Sequence, residues 1–266
     1  RALGRSGGAI VSGSCAAMTD ATAVDGAAKS TLLIDDLHPN GEGSSAIGRV
    51  AALVLAGKLP VNDTAPTSNA DTRQINANSA QLLLNPKLAG TGGTAGTGGS
   101  GSVAASWLLS RQSGAVLAVV GSKISETGPK WRESQRMAFS GTLAGIEYTR
   151  FQQSVTVASL LTPATPGTST VKAAITLKQG AVAPSNLQFV SLMIECLDSV
   201  PADIGGAGGM YDSGYKCAFF PATESRVETP AVVIPVGTVT LRATLRVGFS
   251  AGVASGEIDA TDFELV

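Results

Sequence analysis

Residues 239–247 alternate without a break: Val239, Leu241, Ala243, Leu245 and Val247 on one beat, Thr240, Arg242, Thr244 and Arg246 on the other. Successive side chains of a strand point to opposite faces, so this run gathers its apolar groups on one side only if it is extended; wound as a helix it would scatter them around the axis. Comparable apolar or β-branched runs occupy 115–122, 136–143, 149–161, 169–179, 187–198 and 258–266, separated by Gly, Pro and Ser turns. Seven or eight short strands with no helical periodicity between them predict an antiparallel β-sandwich over residues 82–266. Hydrophobic residues make up 44% of the chain but aromatic ones only 5%, so its core rests mainly on Ala, Val, Leu and Ile.

The region before residue 82 reads differently. Thr31-Leu-Leu-Ile34 is a short apolar run suited to a buried strand, and the loop 35–43 comes after it. Ser44 or Ser45 then caps a helix that carries Ile47, Val50 and Val54 on one face and stops near Gly57 and Pro60. One strand, loop and helix are too few to fold alone. Residues 60–81, rich in Pro, Asn, Thr and Ala and without periodicity, read as a linker, which leaves three zones: 1–59, 60–81 and 82–266.

The only histidine, His38, stands in the loop of that unit, three residues after Asp35. A carboxylate at this offset can hold the imidazole tautomer and stabilise the imidazolium formed when the ring takes a proton from a serine. Asp35, His38, Pro39, Asn40 and Gly43, with the helix-like SAIGRVAALVL after them, resemble the closing catalytic block of the SGNH (GDSL-type) hydrolases, α/β/α esterases and carbohydrate deacetylases. The resemblance covers about residues 15–59 and implies Asp35 and His38 as catalytic residues, the remnant of a longer α/β/α domain, and an ester hydrolysis that needs no metal. The nucleophilic Ser and the oxyanion-hole Gly and Asn of that family precede this block, and the 34 residues before Asp35 contain no Gly-Asp-Ser. Gly4-Arg-Ser6-Gly-Gly8 fits the Gly-x-Ser-x-Gly pattern, but it leaves no room for the sheet between Ser6 and His38. The chain as it stands is therefore expected to be the C-terminal part of an esterase and inactive without the rest.

The stretch opening at Leu82, with Asn85-Pro86, a Gly-rich run and Trp107, and the closing SGEIDATDFELV resemble the first and last strands of jelly-roll carbohydrate-binding modules. Similar jelly rolls occur in bacteriophage fibres and spikes. The resemblance implies a mainly β, jelly-roll sandwich that attaches to a polysaccharide or cell-surface glycan, on an extracellular or virion surface, and that is a homo-oligomer, a trimer if a fibre. Sugar binding uses aromatic faces beside groups that take hydroxyls. Trp107, Trp131, Tyr148, Tyr211 and Tyr215 are candidates; Trp107 reads as core, while Trp131 in a polar loop and Tyr211 and Tyr215 in a glycine-rich loop read either as glycan contacts or as ordinary solvated loop residues. No cofactor is expected. A structural calcium, held in some of these modules, would fall to Asp259, Asp262 and Glu264, whose alternative reading is a solvated strand face.

Other features close off function classes. Nineteen basic and twenty acidic residues, with no basic run, argue against a phosphate-backbone binder. No stretch has the roughly 18 apolar residues of a membrane-spanning helix. Gly96–Gly101 fits Gly-x-Gly-x-x-Gly but lacks the strand and helix of a dinucleotide site, and reads as a low-complexity loop. Cys196 and Cys217 bracket the 203–215 loop and form either a bridge or two ordinary thiols.

Overall fold

A computed structural model describes residues 71–126, 132–212 and 222–266, with residues 30–33 and single positions 18, 44, 47, 50 and 69. The chain divides into two compact units, one of residues 1–64 and 213–219, the other of 65–212 and 220–266.

In the first unit Ser30–Leu32 is a 3₁₀ turn, closed by the Leu33 N–H donating to the Ser30 carbonyl at 3.2 Å. The Thr31-Leu-Leu-Ile run therefore begins as a turn at Thr31 and Leu32 and not as the expected strand. Ser44, Ile47 and Val50 are helical, with Ser44 exposed and the other two half-buried, in keeping with the expected apolar face. Met18 is also helical, and Asp35, His38 and the other residues of this unit lie outside the described residues.

The second unit is a β-sandwich. Its strands are β1 (Gly92–Ala95), β2 (Gly99–Gly101), β3 (Val103–Ser113), β4 (Ala118–Glu126), β5 (Arg132–Leu143), β6 (Glu147–Thr156), β7 (Thr170–Val171), β8 (Ala173–Gln179), β9 (Leu187–Leu197), β10 (Asp203–Asp212), β11 (Ser225–Glu228), β12 (Val232–Val233), β13 (Thr240–Phe249) and β14 (Gly252–Leu265). The first sheet has the order β1-β3-β6-β13-β9-β10, the second β11-β8-β14-β5-β4-β2, and β12 pairs with β7 in a small ribbon. Pairing is antiparallel except at one side of each sheet, where β1 runs parallel to β3 and β2 parallel to β4.

That exception corrects the reading of the glycine-rich run. Gly92–Gly101 is no loose loop: it supplies an edge strand to each sheet in turn and so covers one open side of the sandwich. Bare backbone is what lets it approach. A Cβ at Gly93 would stand 2.1 Å from the Ala104 carbonyl, and one at Gly101 2.2 Å from that of Gly121. Short edge strands of this kind leave little ladder free for aberrant pairing. The glycine-rich 203–212 segment, expected as a loop, is likewise strand β10, because a Cβ at Gly206 would meet the Ile194 carbonyl at 1.9 Å. In both places local composition favours a loop and close pairing with a neighbour overrides it.

Alternation sets the core. Leu241, Ala243, Leu245, Val247 and Phe249 of β13 are buried, facing Val119, Met137, Ile175, Leu177 and Ile258 among others from the second sheet. Val239 falls outside the pattern: it precedes β13 and is 41% exposed. Trp107 spans the sandwich. Its ring stacks on Phe151 of its own sheet at 4.5 Å and packs on Phe263 of the other at 4.7 Å, while its indole N–H donates to the Asn85 carbonyl at 2.9 Å. Phe139 and Phe249 make a second cross-sheet contact at 5.0 Å.

Residues 71–81, the latter part of the stretch read as a linker, are turns packed on this sandwich, with Thr72, Ser79 and Gln81 buried. Amide side chains fasten residues 83–89 behind them. Gln81 Oε1 accepts the Leu83 and Leu265 N–H groups, Gln153 Oε1 accepts that of Leu84, and Asn85 Nδ2 donates to the Ala89 and Ala105 carbonyls. With backbone bonds from Leu82 to the Leu265 carbonyl, from Phe263 to the Pro86 carbonyl and from Ala105 to the Ala89 carbonyl, these amides satisfy buried backbone groups of an irregular segment, as burial requires.

Glu147 organises the β3–β4 turn. Its carboxylate, on a residue only 7% exposed, accepts the N–H groups of Ala115 at 3.1 Å, Val116 at 3.0 Å and Leu117 at 2.7 Å. Gly114 has φ +82°, and a Cβ there would meet the Glu147 carboxyl carbon at 2.0 Å. Burial works to raise the pKa of this group, but the Leu117, Ala115 and Val116 donors and the charge of Arg111 outweigh it and hold the pKa below the ordinary carboxylate range. A depressed folded-state value means that Glu147 contributes its full stabilisation above the unfolded-state pKa and loses it as pH falls through the folded one. Glu147→Gln is expected to cost about 1–3 kcal/mol at neutral pH, with the difference from wild type shrinking below about pH 4, as read from urea unfolding across a pH series.

Candidate functional site

Every strand that turns one residue into the core turns the next one outward, and in the first sheet the outward residues form a grid. β6 aligns with β13 and β13 with β9, so four rows cross three strands: Tyr148, Gly248 and Phe189; Arg150, Arg246 and Ser191; Gln152, Thr244 and Met193; Ser154, Arg242 and Glu195. β3 extends two of the rows with Ser110 beside Arg150 and Leu108 beside Gln152. Residues two apart on a strand repeat roughly every 7 Å, which fixes the spacing of the rows.

The aromatic row is a platform. Tyr148 and Phe189 lie 6.0 Å apart at 53°, and between them Gly248 has no side chain; a Cβ there would penetrate the Phe189 ring at 2.2 Å. The Arg246 guanidinium carbon sits 5.7 Å from the centre of the Tyr148 ring, which fixes both groups by a cation–π contact. Both rings are half-buried, so each offers part of its surface.

Among the described side chains, three guanidinium groups stand on this face with one carboxylate. Glu195, 7% exposed, lies 3.4 Å from Arg246 and 3.9 Å from Arg242, and accepts the Thr244 hydroxyl at 2.5 Å. Arg242 also donates to Ser154 at 3.2 Å, and Arg150 to Ser110 at 3.1 Å. Thr244, Ser191 and Ser110 are buried and make the floor; the arginines and the two rings rise from it. Such a surface offers apolar ring faces beside fixed donors and acceptors.

The expected contacts fall elsewhere. Trp131 and Tyr215 lie outside the described residues; Tyr211 is in β10, in register with Val190 at the edge of this sheet. Trp107 is core, as expected. Tyr148 was among the aromatic candidates, and the Thr240–Arg246 alternation marked a wet strand face, but the neighbours that complete the grid come from segments far apart in sequence. Cys196 is a free thiol on the inner side of β9, so of the two readings, bridge or ordinary thiol, the second holds for it. Burial, aided by the charge of Asp203 and opposed by a hydrogen bond with Thr238, pushes its pKa up to about 11, which keeps it an inert core thiol.

No group of three or more His, Cys, Asp or Glu side chains suited to a metal occurs among the described residues. The three carboxylates considered for calcium go to separate cations: Asp259 to Arg136 at 2.7 and 2.9 Å, Asp262 to Lys87 at 2.9 Å, and Glu264 to Arg226. Among the described residues no helix is long and apolar enough to cross a membrane.

No family model matches the chain, and no curated protein matches it. Solved structures similar to it include the enzymatically active domain of bacteriophage CBA120 tailspike protein 4, at 16% identity and a TM-score of 0.40, over 60% of this chain and 19% of that one. A carbohydrate-binding module of the β-sandwich superfamily aligns at 8% identity and a TM-score of 0.44, over 60% of this chain and 57% of the module. The family 11 module of a Clostridium thermocellum cellulosomal cellulase aligns at 13% and 0.35, over 60% of this chain and 87% of the module. The chain thus spans under two thirds of the first two. At such identities and scores these likenesses assign no ligand or activity to this protein.

Glu195 ties Arg242, Arg246 and Thr244 together. Its replacement by Gln is expected to destabilise the unit by about 1–3 kcal/mol, and the loss should diminish at high salt as repulsion among the arginines is screened; guanidinium-free urea melts at two ionic strengths measure both.

Proposed function

We propose that the sandwich unit binds a glycan across the outward face of the β3-β6-β13-β9 strands. The observation that carries this reading is the Tyr148–Phe189 platform, with the Phe189 ring lying over Gly248 and rows of guanidinium, amide, hydroxyl and carboxylate groups beside it. Pyranose rings present an apolar C–H face and an equatorial rim of hydroxyls. An aromatic surface takes the first, and fixed polar side chains take the second. Backbone pairing on both sides holds β6 and β13, so the face is preorganised and binding does not have to order a loop. The Asn85-Pro86 opening and the closing strand, similar in sequence to those of carbohydrate-binding jelly rolls, lead to the same reading. A glycan-binding protein of this kind works on an extracellular or virion surface.

The test is a glycan-array screen with the full chain, followed by calorimetry on the glycans retained. Tyr148→Ala and Phe189→Ala are each expected to weaken binding about tenfold, with the fold intact by circular dichroism. Retention of no glycan, or equal affinity in both variants, rejects the reading.

The Asp35-x-x-His38-Pro39-Asn40 motif supports a second, separate proposal: that residues 1–59 close the active site of an SGNH-type esterase acting on O-acetyl groups of the same polysaccharide. In it His38 moves the proton of a serine supplied upstream and Asp35 orients His38. A longer polypeptide that carries a Gly-Asp-Ser segment should release acetate, and His38→Ala should abolish that release without changing glycan affinity.

A further inference from the structure

The charge on the glycan face is unbalanced, and from this we infer that its ligand is an acidic polysaccharide whose carboxylates dock on the Arg150–Arg246 pair. The inference rests on the glycan-binding reading above and names the chemical class of that ligand.

Arg150 and Arg246 are direct cross-strand partners between β6 and β13. Like charges placed opposite one another destabilise a sheet, so the pair works against folding unless an anion lies between its members. Glu195 does not fill that place. It belongs to β9, on the far side of β13 from Arg150, and it is engaged by Arg246, Arg242 and Thr244. Arg150 has Ser110 as its hydrogen-bond partner and no carboxylate among the described residues. The second sheet provides the contrast: there Arg136 is held by Asp259 and Glu257, and Arg226 by Glu264 and Glu228. Among the described residues of the first sheet, the arginine left without a carboxylate is Arg150, on the face with the aromatic platform.

Two orphaned atoms mark the same place. Arg246 Nε and Gln152 Oε1 are buried without a hydrogen bond, and Gln152 is only 8% exposed. Buried polar atoms are ordinarily satisfied. Here one is a cationic donor and the other an acceptor, one row apart. Both atoms are closed to solvent as the face stands, so a ligand carboxylate meets them only if the Arg246 side chain turns outward, where guanidinium groups favour planar, two-point pairing. The chain as a whole has a formal charge of −1, so the positive character is local to this face.

The test uses the full chain and three carboxylated polymers, polygalacturonate, alginate and polysialate, each beside its neutral methyl ester, with a single-stranded oligonucleotide as the phosphate control. At least one acid is expected to bind about tenfold or more tighter than its ester, and the preference should fade as salt rises. Arg150→Gln should lose that preference while its melting temperature stays unchanged or rises, because the like-charge contact is gone. Arg150→Lys should keep part of it. Equal affinity for acid and ester overturns the inference and leaves the glycan reading standing. Binding of no polymer at all overturns both. Tighter binding of the oligonucleotide makes the face a phosphate site and also overturns it, as does a lowered melting temperature in Arg150→Gln with the acid preference intact.

Discussion

The packing of Trp107 between Phe151 and Phe263 is the contact on which the rest of the sandwich depends. One ring joins β3 to β6 within a sheet and both to β14 across the core, in a chain whose other core residues are mostly aliphatic. Its indole N–H, bonded to the Asn85 carbonyl, also draws in residues 81–90, an irregular segment that touches β14 and β3 through only a few backbone bonds. Removing a ring of this size from a close-packed interior costs on the order of 3–5 kcal/mol, comparable with the whole stability of many domains. Asn85, Gln81 and Gln153 then complete the attachment by taking up backbone groups that burial would otherwise leave unpaired.

The outward grid inherits its geometry from that core. Leu241, Ala243, Leu245 and Val247 are locked inward, so Arg242, Thr244 and Arg246 have no choice of face or spacing. The same logic places Tyr148 and Arg150 on β6 and Phe189 and Glu195 on β9. A one-residue slip of β13 would exchange arginines for leucines in the core, so burial fixes the register, and the register fixes the face. This is why a polar surface can present its groups at set distances.

Glycine has two opposed uses in this fold. At Gly93, Gly101 and Gly206 it lets one backbone lie against another, building edges out of sequence that by composition belongs in loops. At Gly248 it leaves a gap in the platform that the Phe189 ring fills. Neither use leaves a local signal, because the clash that forbids a side chain comes from another strand.

The sequence by itself determined the class of fold. Period-two alternation in 239–247 and the repeated apolar runs can be buried only as strands, and the near absence of helical periodicity after residue 82 leaves two packed sheets as the way to cover them. It also indicated that one face of the 239–247 run is polar, since that depends on residues within a few positions of each other. Only the tertiary structure decided which strands are neighbours, and with that the candidate site. Tyr148, Phe189 and Arg246 are nearly a hundred residues apart from first to last, and the pairing that unites them is set by long-range burial that local pattern does not encode. The same holds for the two edge strands drawn from glycine-rich sequence and for Cys196, whose place in the core is set by the face of β9 that the opposite sheet covers.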